Sequence, residues 1–161
     1  MKTKHLLFLS ISASLGLTGC GGEANEQFKV NSVTASDFAY TMANQPAVDL
    51  QLQQSENNFC QITLLRSNVK EGFTASLKQQ STGSLSSSCY WNGNLYIQSS
   101  KHPTIANLKI NKIDETNQSA SFTTSLKLVN NKTLDSYFEI KDVTFTVAGQ
   151  QYTNLTTIPS E

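Results

Sequence analysis

Charged side chains are scarce in this sequence, and neither sign forms a long run. The 161 residues include 12 Lys and Arg and 12 Asp and Glu, which gives a formal net charge of +0. A stripe of basic side chains that could follow a phosphate backbone is missing, and this argues against nucleic acid as a partner. Ser, Thr, Asn and Gln are abundant instead, so neutral polar groups must keep the surface soluble.

Motifs that carry catalysis are also missing. A serine triad would have to use His102 as its base, yet there is no Gly-x-Ser-x-Gly elbow and nothing links His102 to Asp114 or Glu115. Calcium-loop spacing and phosphate-binding glycine loops are absent as well. We therefore predict no catalytic site, no metal and no cofactor. A carboxylate pair for glycoside hydrolysis, whose members can lie far apart in sequence, is the catalytic alternative left open.

The N-terminal residues have the three parts of a secretory signal. Lys2 and Lys4 supply positive charge, residues 6–17 supply an apolar stretch, and the small Gly19 precedes Cys20. The apolar stretch is well short of the ~20 residues that a helix needs to cross a bilayer, and no later segment approaches that length. We predict that residues 1–19 are a cleaved signal peptide and that the mature chain has no transmembrane segment.

The residues Leu17-Thr18-Gly19-Cys20 resemble the lipobox of bacterial lipoproteins. The resemblance covers residues 1–20 only, and it implies cleavage before Cys20 and attachment of lipid to that cysteine. Two or three acyl chains hold a protein on a membrane essentially permanently. In enteric lipoproteins an Asp directly after the lipidated cysteine tends to retain the protein in the inner membrane. This chain has Gly21 at that position, so the resemblance implies an outer-membrane location. Residues 20–27 then act as the lipidated end and a short tether, and the membrane is the expected partner.

The cysteine count favours one disulfide bond. If Cys20 carries lipid, Cys60 and Cys89 remain as an even pair in an oxidising compartment, where disulfides form and persist. The two are not spaced as a Cys-x-x-Cys redox motif, and no histidine lies near them to complete a zinc site. We expect a structural bond between them.

Alternation of apolar and polar residues dominates residues 28–161 and predicts a single all-β domain. Turn residues separate the alternating segments at even spacing, which is typical of an antiparallel β-sandwich or a small β-barrel. The apolar positions fall into six groups: Val48, Leu50 and Leu52; Cys60, Ile62 and Leu64; Phe73, Ala75 and Leu77; Ala106, Leu108 and Ile110; Ala120, Phe122, Leu126 and Leu128; and Val143, Phe145 and Val147.

A β-hairpin is predicted around Asn92-Gly93, because this dipeptide is the strongest short hairpin signal. A two-residue turn would place Cys89, Trp91 and Tyr96 on one face and Tyr90 with Leu95 on the other. Trp91 with Tyr90 and Tyr96 could form a stacking platform for a sugar or a partner protein. Core packing of Trp91 beside the disulfide is the simpler interpretation, and we favour it.

Two further segments interrupt the pattern. The apolar phase changes at Lys141-Asp142, which predicts a β-bulge or a tight turn. Residues 36–43 are the helical candidate, with Ser36 as a possible cap and Pro46 as a stop, or else a strand with Phe38, Tyr40 and Met42 on one face.

Together these patterns predict a non-catalytic lipoprotein of the outer membrane. Its role would be binding, assembly or surface interaction, with an envelope protein or polysaccharide as the partner. A small periplasmic hydrolase is the main alternative, and an inhibitor of a cell-wall lytic enzyme is another.

Overall fold

A computed structural model describes residues 28–78 and 83–159 of the chain. This part contains ten strands, one short α-helix and a 3₁₀ turn at Arg66–Asn68. The strands belong to one antiparallel sheet that curls strongly into a half-barrel, so the predicted all-β antiparallel domain is confirmed. The elements are β1 (Ser32–Ala35), β2 (Thr41–Met42), β3 (Gln45–Ser55), β4 (Asn58–Leu65), β5 (Thr74–Lys78), β6 (Leu85–Trp91), β7 (Asn94–Ile97), β8 (Ile105–Asp114), β9 (Ser119–Asn130), β10 (Tyr137–Ala148) and α1 (Gln150–Thr156).

Strand β9 organises the sheet. The hydrogen-bonded order is β1-β3-β4-β6-β7-β9-β8-β5, with β10 also paired to β9 and β2 paired to the start of β3. Along one edge β9 pairs first with β8 and then, at Val129 and Asn130, with β7. Since β10 pairs with the same stretch of β9, it must occupy the opposite edge.

The inner face of the curled sheet carries the core, and it follows the predicted alternation. Leu50, Ile62 and Phe122 are fully buried, and Phe122 stacks on Phe145 with ring centroids 5.0 Å apart. Each large apolar side chain removed from water in this way contributes roughly 1.5–3 kcal/mol. The hydrophobic effect therefore fixes the strand phases that the sequence shows.

The disulfide bond between Cys60 and Cys89 is confirmed. The two cysteines lie directly opposite each other on β4 and β6, and at most 1% of either is exposed. Closing a loop of 29 residues stabilises the fold by roughly 3–4 kcal/mol on the chain-entropy model.

The hairpin at Asn92-Gly93 has the predicted register. Cys89 pairs with Tyr96, Tyr90 with Leu95, and Trp91 with Asn94. Both turn residues have positive φ, 47° for Asn92 and 77° for Gly93, as a two-residue hairpin turn of the favoured hand requires.

The irregularity in β10 is a β-bulge, as the phase change predicted. The register with β9 shifts between Ile140 and Val143, and Asp142 has a φ of 49°. Ser125 on β9 holds the bulge, since its hydroxyl donates to the Asp142 carboxylate (3.0 Å) and accepts from the Asp142 amide (2.9 Å). A bulge flanked by charged side chains also makes the outer edge of β10 a poor template for pairing with another chain.

The helix predicted at residues 36–43 is wrong. Ser36 extends the β1–β3 ladder, because its amide donates to the Asp49 carbonyl and its hydroxyl accepts from the Asp49 amide. The chain then forms the two-residue strand β2 and turns back onto β3 through Ala43 and Asn44, both at positive φ. The alternative strand with Phe38, Tyr40 and Met42 is reduced to β2, which contains Met42 alone of the three.

Helix α1 follows β10, and the sequence pattern does not predict it. Its short, Thr-containing sequence has little helical propensity, and burial of Tyr152 and Leu155 stabilises it instead. Arg66 caps its last turn: Nη1 donates to the carbonyls of Asn154 (2.5 Å) and Leu155 (3.0 Å). Burial lowers the pKa of the Arg66 guanidinium from its ordinary value. No helix in the described ranges 28–78 and 83–159 is long and apolar enough to cross a bilayer.

Candidate functional site

The three aromatic residues of the hairpin do not share a surface. Trp91 is only 6% exposed and lies between Phe28 and Phe138, with ring centroids 5.8 and 5.2 Å away. Tyr96 points to the same side and packs 5.6 Å from Phe138. A platform built from all three side chains is therefore excluded, and Trp91 packs in the core, which was the simpler interpretation of the sequence.

Tyr90 lies on the outer face of the sheet. It stacks on Phe59 of the neighbouring strand, with centroids 5.9 Å apart and the rings inclined by 25°. Cross-strand aromatic pairs of this kind stabilise a sheet. The predicted lipidation site Cys20, together with the tether, falls outside the described residues.

His102 and the acidic pair Asp114-Glu115 are held apart by β8. The strand between them has ten residues and is therefore roughly 30 Å long. The Asp114 carboxylate accepts bonds from the Asn117 amide (3.0 Å), the Asn117 side chain and Lys112, and these donors lower its pKa to about 2. Asp114 is thus an ionised turn residue, and it cannot orient the His102 imidazole.

Replacement of His102 by Ala should leave folding and function unchanged. The residue lies in a loop, where its carbonyl accepts from the Thr104 amide (2.8 Å), an interaction that alanine retains. A general base contributes typically ~10²–10⁴-fold in rate, so a catalytic role would be visible in any activity assay of the His102→Ala variant. A loss of that size at unchanged Tm would contradict this prediction.

A groove of about 380 Å³ lies where β1, β3, β4 and helix α1 meet. Its floor is the outer face of β3 and β4, and its walls are the segment after β1 and the first turns of α1. We call it the amide groove, because four of its lining residues carry side-chain amides. The residues that line it are Thr34, Ala35, Ser36, Asp37, Phe38, Asp49, Gln51, Gln61, Gln151 and Asn154.

Asp49 fixes the floor of the amide groove. Its two carboxylate oxygens accept hydrogen bonds from the Gln61 amide (2.9 Å) and the Thr63 hydroxyl (2.5 Å). Because Gln61 donates through Nε2, its Oε1 remains to accept a bond from a ligand. Asp49 therefore positions the neutral side chain of Gln61 on the floor of the groove.

Helix α1 forms the wall through bonds to the free edge of β1. The Ala35 amide donates to Gln151 Oε1 (2.7 Å), and the Ala35 carbonyl accepts from Asn154 Nδ2 (3.2 Å). These bonds satisfy the backbone of an edge residue, which limits pairing with another strand. They also leave the Nε2 group of Gln151 as a donor at the rim.

The amide groove carries two carboxylates, Asp37 and Asp49, and one aromatic side chain. The described residues that line it include no Lys, Arg or His, so phosphate and carboxylate ligands gain no opposite charge from them. Phe38 is 56% exposed at its edge, and Tyr40 two residues later is 40% exposed. Amide donors and acceptors beside an exposed ring suit a ligand that carries hydroxyl groups on an apolar frame.

The sequence pattern does not reveal this site. The alternation of Asp49 and Gln51 with buried residues predicts an exposed polar row, but such rows occur on most half-buried strands. The pattern assigns Phe38 to a helix or a strand face, and it does not predict the helix that supplies Gln151. Two aromatic residues, Phe38 and Tyr40, in an otherwise polar segment are the signal that could have indicated the site.

No known protein family, curated protein or solved structure matches this chain. Within the described residues there is no group of three or more His, Cys, Asp or Glu side chains that could hold a metal ion. A functional assignment therefore depends on the N-terminal motif and on the geometry of the described residues.

Proposed function

We propose that this protein is a lipid-anchored binding module of the bacterial envelope that holds a neutral saccharide in the amide groove. The observation that carries the proposal is the groove lining, whose described residues combine amide donors and acceptors with the exposed ring of Phe38 and include no basic side chain. Sugar hydroxyls both donate and accept, as side-chain amides do. The flat apolar face of a sugar ring can pack on an aromatic ring such as that of Phe38.

The envelope location is supported by two independent features. The Leu17-Thr18-Gly19-Cys20 motif resembles a lipobox, and the Cys60–Cys89 bond fits an oxidising compartment outside the cytoplasm. In such a protein the lipid on Cys20 supplies the attachment and the β domain supplies recognition. Outer-membrane sorting through Gly21 belongs to the same proposal.

A matched pair of glutamines tests the ligand site. Gln51 and Gln53 lie on the same face of β3, but only Gln51 lines the amide groove. In titrations of the detergent-solubilised protein with neutral and acidic envelope oligosaccharides, we expect binding of neutral members only. Gln51→Ala should weaken that binding about tenfold, because a ligand hydrogen bond contributes roughly 1–1.5 kcal/mol. Gln53→Ala should bind like the unaltered protein.

Two outcomes would contradict the proposal. Equal oligosaccharide affinities of the Gln51→Ala and Gln53→Ala variants would show that the ligand does not bind in the amide groove. Binding restricted to acidic oligosaccharides would contradict the proposal, because the described lining carries Asp37 and Asp49 and no basic side chain.

A hydrolase is the second candidate, because Asp37 and Asp49 both line the groove and glycoside hydrolysis uses two carboxylates. The bonds that Asp49 accepts from Gln61 and Thr63 favour a positioning role for it instead. Release of reducing ends from the bound oligosaccharide, abolished in Asp49→Asn, would support the hydrolase over the binding module.

A further inference from the structure

Three turns gather at one end of the molecule, and we call this region the turn end. It contains the β3–β4 turn at residues 56–57, the β6–β7 turn at residues 92–93 and the β9–β10 loop at residues 131–136. The strand registers bring them together, because Phe59 pairs with Tyr90 and Tyr96 pairs with Asn130.

The first described residue, Phe28, is fixed at the turn end. Its side chain is 5% exposed and contacts the rings of Trp91 and Phe138. The amide of Lys29 donates to Gln54 Oε1 (2.8 Å), just before the first of the three turns. The chain that leads back to Cys20 therefore leaves the domain at this end.

The β9–β10 loop displays an apolar side chain at its tip. Leu134 is 43% exposed and has a φ of 60°, a conformation that leucine rarely adopts. The buried Asn130 holds the loop in place, because its Oδ1 accepts from the amides of Lys132 (2.8 Å) and Thr133 (3.1 Å). The backbone amide of Asn130 donates to the Ser136 carbonyl (2.9 Å), and this bond closes the loop. The loop therefore holds Leu134 in a fixed position at its tip.

A second exposed leucine lies beside this loop. Leu95 follows the Asn92-Gly93 turn and is 39% exposed, and its carbonyl accepts from the Asn131 amide (2.9 Å). The segments that carry Leu95 and Leu134 are therefore hydrogen-bonded to each other. The exposed charges at the turn end are Lys29, Glu56, Lys132 and Asp135, so the two signs balance.

The length of chain before Phe28 decides what can cover this surface. Phe28 lies eight positions after Cys20, and a fully extended chain of that length spans at most ~29 Å. A folded partner of about 100 residues has a radius of gyration of about 13 Å and hence a diameter above ~30 Å, so it does not fit beneath the domain. A bilayer that holds the lipid of Cys20 lies within reach.

We infer that the turn end rests on the membrane surface, with Leu134 and Leu95 in contact with lipid and helix α1 at the far end of β10. The inference rests on the lipid anchor of the proposed function. It adds a fixed orientation of the domain, which a tether alone does not impose.

Site-specific fluorescent labels test this orientation. The mature lipidated protein would be reconstituted in phosphatidylcholine vesicles with and without chain-brominated lipid, which quenches fluorophores that touch the acyl region. An environment-sensitive dye would be placed on Leu134→Cys. The matched control is Thr153→Cys, which is exposed on α1 at the other end of β10. We expect loss of fluorescence in brominated vesicles at position 134 and none at position 153.

The outcomes separate this inference from the proposal on which it rests. Protein that floats with the vesicles while its label at position 134 stays unquenched would overturn the orientation and leave the anchor intact. Protein that fails to float would overturn the anchor and the orientation together. Binding of oligosaccharide in the amide groove is measured in detergent and does not depend on either result.

Discussion

Replacement of Trp91 by Ala should lower the free energy of unfolding by about 3–5 kcal/mol, the usual cost of emptying a large aromatic site in a core. The indole is 6% exposed and fills the space between Phe28 and Phe138. Neither the disulfide nor its neighbours can move far enough to close that space, because Cys89 is bonded across to β4. Chemical denaturation of the non-reduced protein measures the loss.

Tyr90 provides the matched control for Trp91. It is the adjacent residue on the same strand, but it is half-buried on the outer face, where its stacking on Phe59 contributes roughly 0.5–1.5 kcal/mol beyond area burial. We expect Tyr90→Ala to destabilise the domain clearly less than Trp91→Ala. A Trp91→Ala variant as stable as the unaltered protein would show that the indole does not pack as described.

Replacement of Cys20 by Ser should move the protein from the membrane fraction to the soluble periplasmic fraction and leave its signal abnormally processed. A serine cannot carry the thioether-linked lipid, and residues 1–20 contain the only lipidation motif that the sequence shows. Fractionation of cells combined with a fatty-acid label measures both consequences. Because two or three acyl chains bind essentially permanently, the loss should be nearly complete.

Gly22→Ala is the control for the anchor, since it changes the tether and leaves Cys20 and the preceding motif intact. It should remain labelled and membrane-bound. Continued membrane association of Cys20→Ser, together with an unlabelled wild-type protein, would contradict the lipid anchor.

The sheet was predictable because residues close together in the sequence determine its strands and turns. Strands such as β3 and β4 alternate with period two, and burial of one face enforces that phase. The Asn92-Gly93 turn then sets its own register, and the even cysteine pair predicts the disulfide. The bulge in β10 was predictable because the alternation of apolar and polar residues changes phase at that point of the sequence.

The parts that the sequence does not predict depend on contacts between distant residues. Helix α1 is stabilised by Arg66, which lies 88 and 89 positions before the two carbonyls it binds. Residues 36–43 have a helix-cap candidate in Ser36 and a stop in Pro46, but Ser36 is tied to Asp49 and the chain follows β3 instead. Tertiary contacts outweigh weak local propensity in both segments.

The amide groove could not be predicted from the sequence, because it also depends on contacts between distant residues. It requires Phe38, Gln51 and Gln151 to meet, and these residues come from three separate parts of the chain. The aromatic residues that stand out in the sequence are divided between the core and the outer face. An alternating polar row shows that one face is exposed, whereas a site needs walls that only the folded chain provides.

The most direct test of a saccharide site in the amide groove is the side-chain amide spectrum of the ¹⁵N-labelled protein during titration with the neutral oligosaccharide that binds best. We predict saturable shifts of the Gln51, Gln61 and Gln151 amide signals, while Gln53 on the same strand stays unchanged. Shifts centred on the outer Phe59–Tyr90 pair, with the groove glutamines unmoved, would contradict a site in the groove.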